Sequence, residues 1–209
     1  AMRQTLNIDV RPGTEVLKID LAQKQIVTRE LSTGTQRKES YDFLILSPGA
    51  EPVRPPLPGI DSSKVLTLRN MKDMDAILKI MNAEHPERAV IVGGGYIGLE
   101  MAEALRAKKI AVTLVELTDQ VMGPADPEMV TALHQELTLH GVDLRLGTSV
   151  KGFGEKEGAL SVELSTGESV ACGFAVLAIG VKPEVKLARE AGLKIGSRGG
   201  LVALAFTML

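Results

Sequence analysis

A single cysteine, Cys172, among 209 residues leaves no partner for an internal disulfide. That excludes a disulfide-stapled scaffold and fits a reducing compartment. Charge of one sign is lacking too. Twenty-four Lys and Arg stand against 26 Asp and Glu, a net charge of −2 with no long single-sign block. This balance argues against nucleic acid or an anionic membrane as partner. No apolar run reaches the ~18 residues of a membrane span, and no signal peptide is visible. The three histidines, His85, His134 and His140, show no metal-ligand spacing with cysteine or acidic residues, so no metal is expected. The G-x-S-x-G nucleophile elbow is missing as well. What remains is an ordinary globular composition, 44% hydrophobic, with room for one large domain or two small ones. The expected setting is cytoplasmic.

Against these absences one run stands out. Ala89-Val90-Ile91-Val92 feeds Gly93-Gly94-Gly95-Tyr96-Ile97-Gly98, and Leu99 to Leu105 reads as a helix. A strand entering G-x-G-x-x-G and then a helix is how a βαβ unit holds a dinucleotide pyrophosphate. Gly93 allows the tight turn, Gly95 lets the backbone approach the phosphates, and Gly98 lets helix and strand pack closely. The phosphates would face N–H groups at the helix N-terminus. A second strand, Ala111 to Val115, ends in Glu116, 21 residues after Gly95. That is close to the ~20-residue spacing of a ribose-binding acid. A carboxylate there accepts from ribose hydroxyls and repels a 2′-phosphate, and Leu117-Thr118-Asp119-Gln120 brings no arginine. NAD(H) is therefore expected over NADP(H).

The chain also repeats itself. Leu31-Ser32-Thr33-Gly34 followed by Phe43 to Pro52 matches Leu164-Ser165-Thr166-Gly167 followed by Phe174 to Pro183. The Phe-to-Pro segments align without a gap, 131 residues apart. Short β segments precede each copy: 15–19 and 25–29 in the first, 148–150 and 160–164 in the second. Each copy thus predicts a β-meander followed by a strand. By this repeat the first copy's fingerprint would fall ahead of residue 1.

The second copy can be traced further. Asn70 is expected to cap a helix carrying Met71, Met74, Ile77, Leu78 and Met81, ended by His85-Pro86. Asp126-Pro127-Glu128 reads as a helix start with a capping acid, and Val130, Leu133 and Leu137 as its apolar face. Gly141 stops that helix, and residues 142–146 form a third strand. Residues 174–179 supply another. Right-handed crossovers place these strands in one doubly wound parallel sheet, with ligands beyond the strands' carboxyl ends, where Gly93, Glu116 and Gly180 fall. The proline-rich stretch Pro52 to Asp61 is expected to be an extended connector crossing between domains.

The residues together resemble the flavin-dependent pyridine nucleotide-disulfide oxidoreductases, in the branch of coenzyme A-disulfide reductases, NADH-dependent persulfide reductases and NADH oxidases. The matching strings are Tyr41-Asp42, Leu46 to Ala50, Pro55 to Asp61, Leu68-Arg69-Asn70, Gly93 to Glu100, Val115-Glu116, Gly141-Val142 and Ala178 to Pro183. The resemblance implies a Rossmann-like α/β fold. Residues 1–61 would be part of an FAD domain, 62–180 an NAD(H) domain, and 181–209 the start of a return to the FAD domain. The family's FAD fingerprint and redox cysteine would lie before residue 1. Its aspartate-bearing flavin segment would follow Gly199-Gly200, where this sequence reads Leu201 to Leu209. The expectation is a fragment that does not turn over and does not retain FAD.

The resemblance also implies roles. Gly93, Gly94, Gly95, Tyr96, Ile97, Gly98, Glu116 and Gly180 would bind NADH, with Tyr96 as an aromatic gate over the nicotinamide and Glu100 reaching its side. Ser47, Gly49 and the backbone of Val16 would contact FAD. Hydride would pass from NADH through flavin to a small-molecule disulfide, persulfide or oxygen. The full-length protein would be a homodimer. Cys172, with no His, Lys or Arg beside it in sequence, reads as a structural thiol. A non-catalytic NAD-binding sensor or scaffold, an NADH peroxidase and a ferredoxin-reductase-like enzyme stay open as alternatives.

Overall fold

In the computed structural model, which describes residues 5–156 and 158–202, alternation decides the architecture. In strand β6 (Arg88–Val92), Ala89 and Ile91 point to one face of a sheet, and Val90 and Val92 point to the other. Strand β7 (Ala111–Val115) divides its Val112 and Leu114 from Val115 in the same way, and β12 (Phe174–Leu177) divides Phe174 and Val176 from Ala175 and Leu177. Strands buried on both faces are what parallel sheets contain. With β5 (Val65–Thr67) and β8 (Val142–Arg145) they form a five-stranded sheet, ordered β5-β12-β6-β7-β8, whose described pairings are all parallel.

Helices cover one face: α1 (Met71–Glu84) through Ile77, α2 (Tyr96–Ala107) through Met101, Ala102 and Leu105, and α3 (Pro127–Leu139) through Val130. The other face is covered by an antiparallel meander, β9 (Val150–Lys156), β10 (Ala159–Leu164) and β11 (Ser169–Cys172), which brings Phe153, Leu160, Val162 and Cys172 onto Val90, Val115 and Leu177. Each fully buried side chain of Phe or Leu size contributes roughly 1.5–3 kcal/mol.

These elements belong to a compact unit, Glu51–Lys182. The second unit holds the described residues up to Ala50 and from Pro183 onward. It contains another antiparallel meander, β1 (Thr14–Asp20), β2 (Gln25–Glu30) and β3 (Gln36–Ser40), and a short helix α4 (Lys186–Glu190) packed on β1. Two three-residue strands, β4 (Ala50–Pro52) and β13 (Val181–Pro183), pair with each other. The repeat read from sequence is matched in structure by the two meanders and by β4 and β13. Each Ser-Thr-Gly turn joins the second and third strands of a meander, with Gly34 and Gly167 both at positive φ.

Several local expectations need correction. Phe43 to Leu46 is no strand: Phe43 is 93% exposed and Ile45 90%. Its counterpart β12 is buried because β5 and β6 flank it and satisfy its backbone. Among the described residues, nothing flanks Phe43 to Leu46 in that way. Thr148 and Ser149 precede β9 rather than belonging to it. Helix α2 starts at Tyr96, three residues before the apolar run suggested. On α1, Met71 and Leu78 face outward, and Ile77, Ile80 and Met81 make the packed face. Asn70 does cap it, in a reciprocal box with Asp73. The Asp126 side chain makes no capping hydrogen bond, and Pro127 stands at the first position of α3. Leu133 on that helix is partly exposed. The proline-rich stretch, outside helix and strand from 53 to 57, is anchored: the Pro58 carbonyl accepts from Phe153 N–H (2.8 Å), and Arg54 donates to the Ile60 carbonyl (2.6 Å). Residues 203–209, the end of the segment expected to return to an FAD domain, lie outside the described residues.

Candidate dinucleotide site

The strand order reverses at β6, which has β7 on one side and β12 on the other. That is the switch point where a crevice opens beyond the carboxyl ends of the strands. The fingerprint occupies it. Gly93 N–H donates to the Val115 carbonyl (2.8 Å), extending the ladder one residue past β6. Its φ is +109°, and a Cβ added there would sit 2.4 Å from the Ala178 carbonyl oxygen. Only glycine lets the turn pass so close to the end of β12. A Cβ on Gly98 would fall 2.0 Å from the Gly93 carbonyl, so this glycine sets how closely α2 approaches the loop.

Gly95 differs, because nothing lies within 4 Å of where its Cβ would be. It is the N-cap of α2 and supplies no side-chain cap. The first N–H groups of a helix have no partner within the helix. With no side chain at Gly95 to stand in front of them, they suit an anion drawn by the positive end of the helix dipole. These are features of a pyrophosphate cradle, and the residues present fit the diphosphate of a dinucleotide.

Glu116 meets the loop directly. Its Oε2 accepts the Gly94 N–H at 2.7 Å. Its Oε1 accepts the Thr118 N–H at 2.9 Å and the Thr118 hydroxyl at 2.8 Å. Partial burial pushes this carboxyl's pKa up, but the donors at Thr118, Gly94 and Leu117 together overcome that and hold it below the usual carboxylate range. A fixed anion one strand away from the glycine loop is what gripping a ribose requires.

The segment after β7 closes over this junction. Met122 N–H donates to the Gly94 carbonyl (2.8 Å), and the fully buried Val121 lies where a Cβ on Gly94 would come 2.8 Å from its Cγ1. Val121 N–H donates in turn to Nε2 of His134 on α3 (3.2 Å). Sequence reasoning missed Thr118, Val121, Met122 and His134 as parts of this wall. The only available signal was a hydroxyl residue two positions after the acid, a spacing suited to a local turn.

Tyr96 is the first residue of α2 and is 70% exposed; Ile97 is partly exposed beside it, and Glu100 stands exposed one turn on. A cavity of about 790 Å³ between α2 and α3 begins at Tyr96 and Glu100 and runs past Leu99, Met122 and Leu137 to His140. None of Gly93, Gly95, Glu116 or Gly180 lines it, so it adjoins the fingerprint without being the cradle. Gly180, at φ +110° with open space where a Cβ would be, follows the β12 end on which Gly93 packs. Ser47, Gly49 and Val16 lie in the other unit: the first two exposed, Val16 half-buried on β1. No described hydrogen bond links Val16 to either. Cys172 ends β11 in the meander core, and burial pushes its thiol up to about 11. His134 lies within α3 and His140 caps its end. Among the described residues no group of three His, Cys, Asp or Glu could hold a metal ion, and no helix is long and apolar enough to cross a membrane.

Comparison with known proteins identifies the family. The family model described as pyridine nucleotide-disulphide oxidoreductase matches residues 1–206. An NADH oxidase of Enterococcus faecalis is 30% identical over 188 residues, covering 89% of this chain and 42% of that protein. The structure of reduced Bacillus anthracis CoADR-RHD superposes with a TM-score of 0.90 at 42% identity, over 95% of this chain and 35% of that one. An NAD-dependent persulfide reductase from A. fulgidus gives 0.88 at 33% identity, over 95% and 36%. The chain therefore spans well under half the length of these relatives. By the extent of the family match and the glycine cradle at its switch point, the chain belongs to the pyridine nucleotide-disulphide oxidoreductase family.

Proposed function

We propose that this chain carries the NADH-binding site of a flavin-dependent oxidoreductase that passes hydride from NADH to a disulfide, persulfide or oxygen. One observation carries the reading: Glu116, at the end of β7, bonds the Gly94 amide inside a glycine loop that leaves Gly95 open. The N–H groups at the start of α2 would bind the pyrophosphate, and Glu116 would accept from the adenosine ribose. Tyr96, exposed at the head of α2, would cover the nicotinamide, and Glu100, exposed one turn on, would reach its side. Gly180 would leave room for that ring. When bound, flavin supplies the two-electron relay, and we assign its contacts to Ser47, Gly49 and the Val16 backbone.

Preference for NADH follows from charge. A 2′-phosphate would face the Glu116 carboxylate, and residues 117–126 contain no arginine or lysine to offset it. Calorimetric titration with NADH and NADPH tests this. Tighter NADH binding is expected, and equal or tighter NADPH binding would contradict it.

A further inference from the structure

The Glu116 carboxylate is crowded before any ligand arrives. A carboxylate offers about four acceptor sites. Three are taken by well-formed hydrogen bonds from Gly94 N–H, Thr118 N–H and the Thr118 hydroxyl, and the Leu117 amide also favours its charged form. Two of these sit on Oε1. A ribose brings two hydroxyls, and the carboxylate has no room for both.

Thr118 offers the way out. Its Oγ1 lies 2.8 Å from Glu116 Oε1 and 2.9 Å from the Gln120 carbonyl oxygen. Both neighbours are acceptors only, and the hydroxyl has one proton. It can serve one of them well at a time, so the proton is contested. Turning it from one to the other is a rotation about the Cβ–Oγ1 bond, with no movement of the oxygen. The backbone around it is held, since Thr118 N–H is tied to Glu116 and its carbonyl accepts from Gly147 N–H (2.8 Å).

We infer that the Thr118 hydroxyl is a displaceable placeholder for the dinucleotide: it occupies Glu116 Oε1 in the free protein and turns to the Gln120 carbonyl when a ribose hydroxyl takes its place. The inference rests on the ribose role proposed for Glu116. In the free state the hydroxyl fills an acceptor site of the carboxylate and favours its ionised form. On binding it yields without being left unpaired, which avoids the cost of an orphaned polar group.

This exchange differs in sign from a fixed brace. A brace, once removed, weakens binding. A competitor, once removed, does not. The test compares the native protein with Thr118→Val and Thr118→Ser, both at an exposed position. NADH affinity is measured by calorimetry. The carboxyl ¹³C resonance of Glu116, assigned with Glu116→Gln, is followed against pH with and without saturating NADH. For Thr118→Val the expected result is a higher Glu116 pKa than native in the free protein and coincidence with native in the complex. NADH affinity should be unchanged or a few-fold tighter, and Thr118→Ser should follow the native protein throughout. A difference that persists in the complex, with NADH bound several-fold more weakly by Thr118→Val, would overturn the exchange and leave the binding site standing. No NADH binding by the native protein would overturn the site and the exchange together.

Discussion

Glu116 is where the sequence pattern and the local chemistry meet. Its carboxyl is held below the ordinary range, so the linkage runs in one direction. The folded state gains from the ionised form above the unfolded pKa, and that gain is lost as pH falls from the ordinary carboxylate value through the lowered one. Acid titration of stability should therefore show a component missing in Glu116→Gln. Glu116→Ala should weaken NADH binding by a few-fold to roughly a hundredfold, the worth of a charge-assisted hydrogen bond, and unchanged titration curves would exclude the ribose role. Cys172 makes the opposite prediction. With burial lifting its thiol to about 11, only about one molecule in a thousand carries the reactive thiolate at pH 8. Native protein should resist thiol reagents there and react at the rate of unfolding. Prompt labelling would show the meander core to be open.

At the scale of elements, two substitutions separate fold from site. Asn70→Ala removes the reciprocal cap of α1 and should cost about 1 kcal/mol in a denaturant melt. It should leave NADH affinity unchanged, since none of the site residues lies on that helix. Gly98→Ala drives a Cβ to 2.0 Å from the Gly93 carbonyl. It should cost about 1–3 kcal/mol and weaken NADH binding as well, because the same shift deforms the cradle. These elements also show what was legible beforehand. The fingerprint, its strand and the acid on β7 could be read because each is a local pattern with a strict spacing. Phe43 to Leu46 and Phe174 to Leu177 are equivalent as sequence, yet one is exposed and the other buried. The flanking strands, not the run itself, decide that outcome. In the wall, the Val121 N–H donates to the His134 ring 13 positions on and the Met122 N–H to the Gly94 carbonyl 28 positions back, and backbone donors leave no mark on composition or periodicity.

For the whole molecule the decisive feature is the reversal of strand order at β6. It brings the end of β12, the glycine loop and Glu116 to one crevice, with helices on one side of the sheet and the meander on the other. The second unit repeats a meander of the same form. A crystal structure of the chain with NADH tests the reading most directly. The diphosphate should lie against the N–H groups that begin α2, with the adenosine ribose hydrogen-bonded to Glu116. Nucleotide seated in the cleft between α2 and α3, or a crevice that stays empty at saturating NADH, would contradict it.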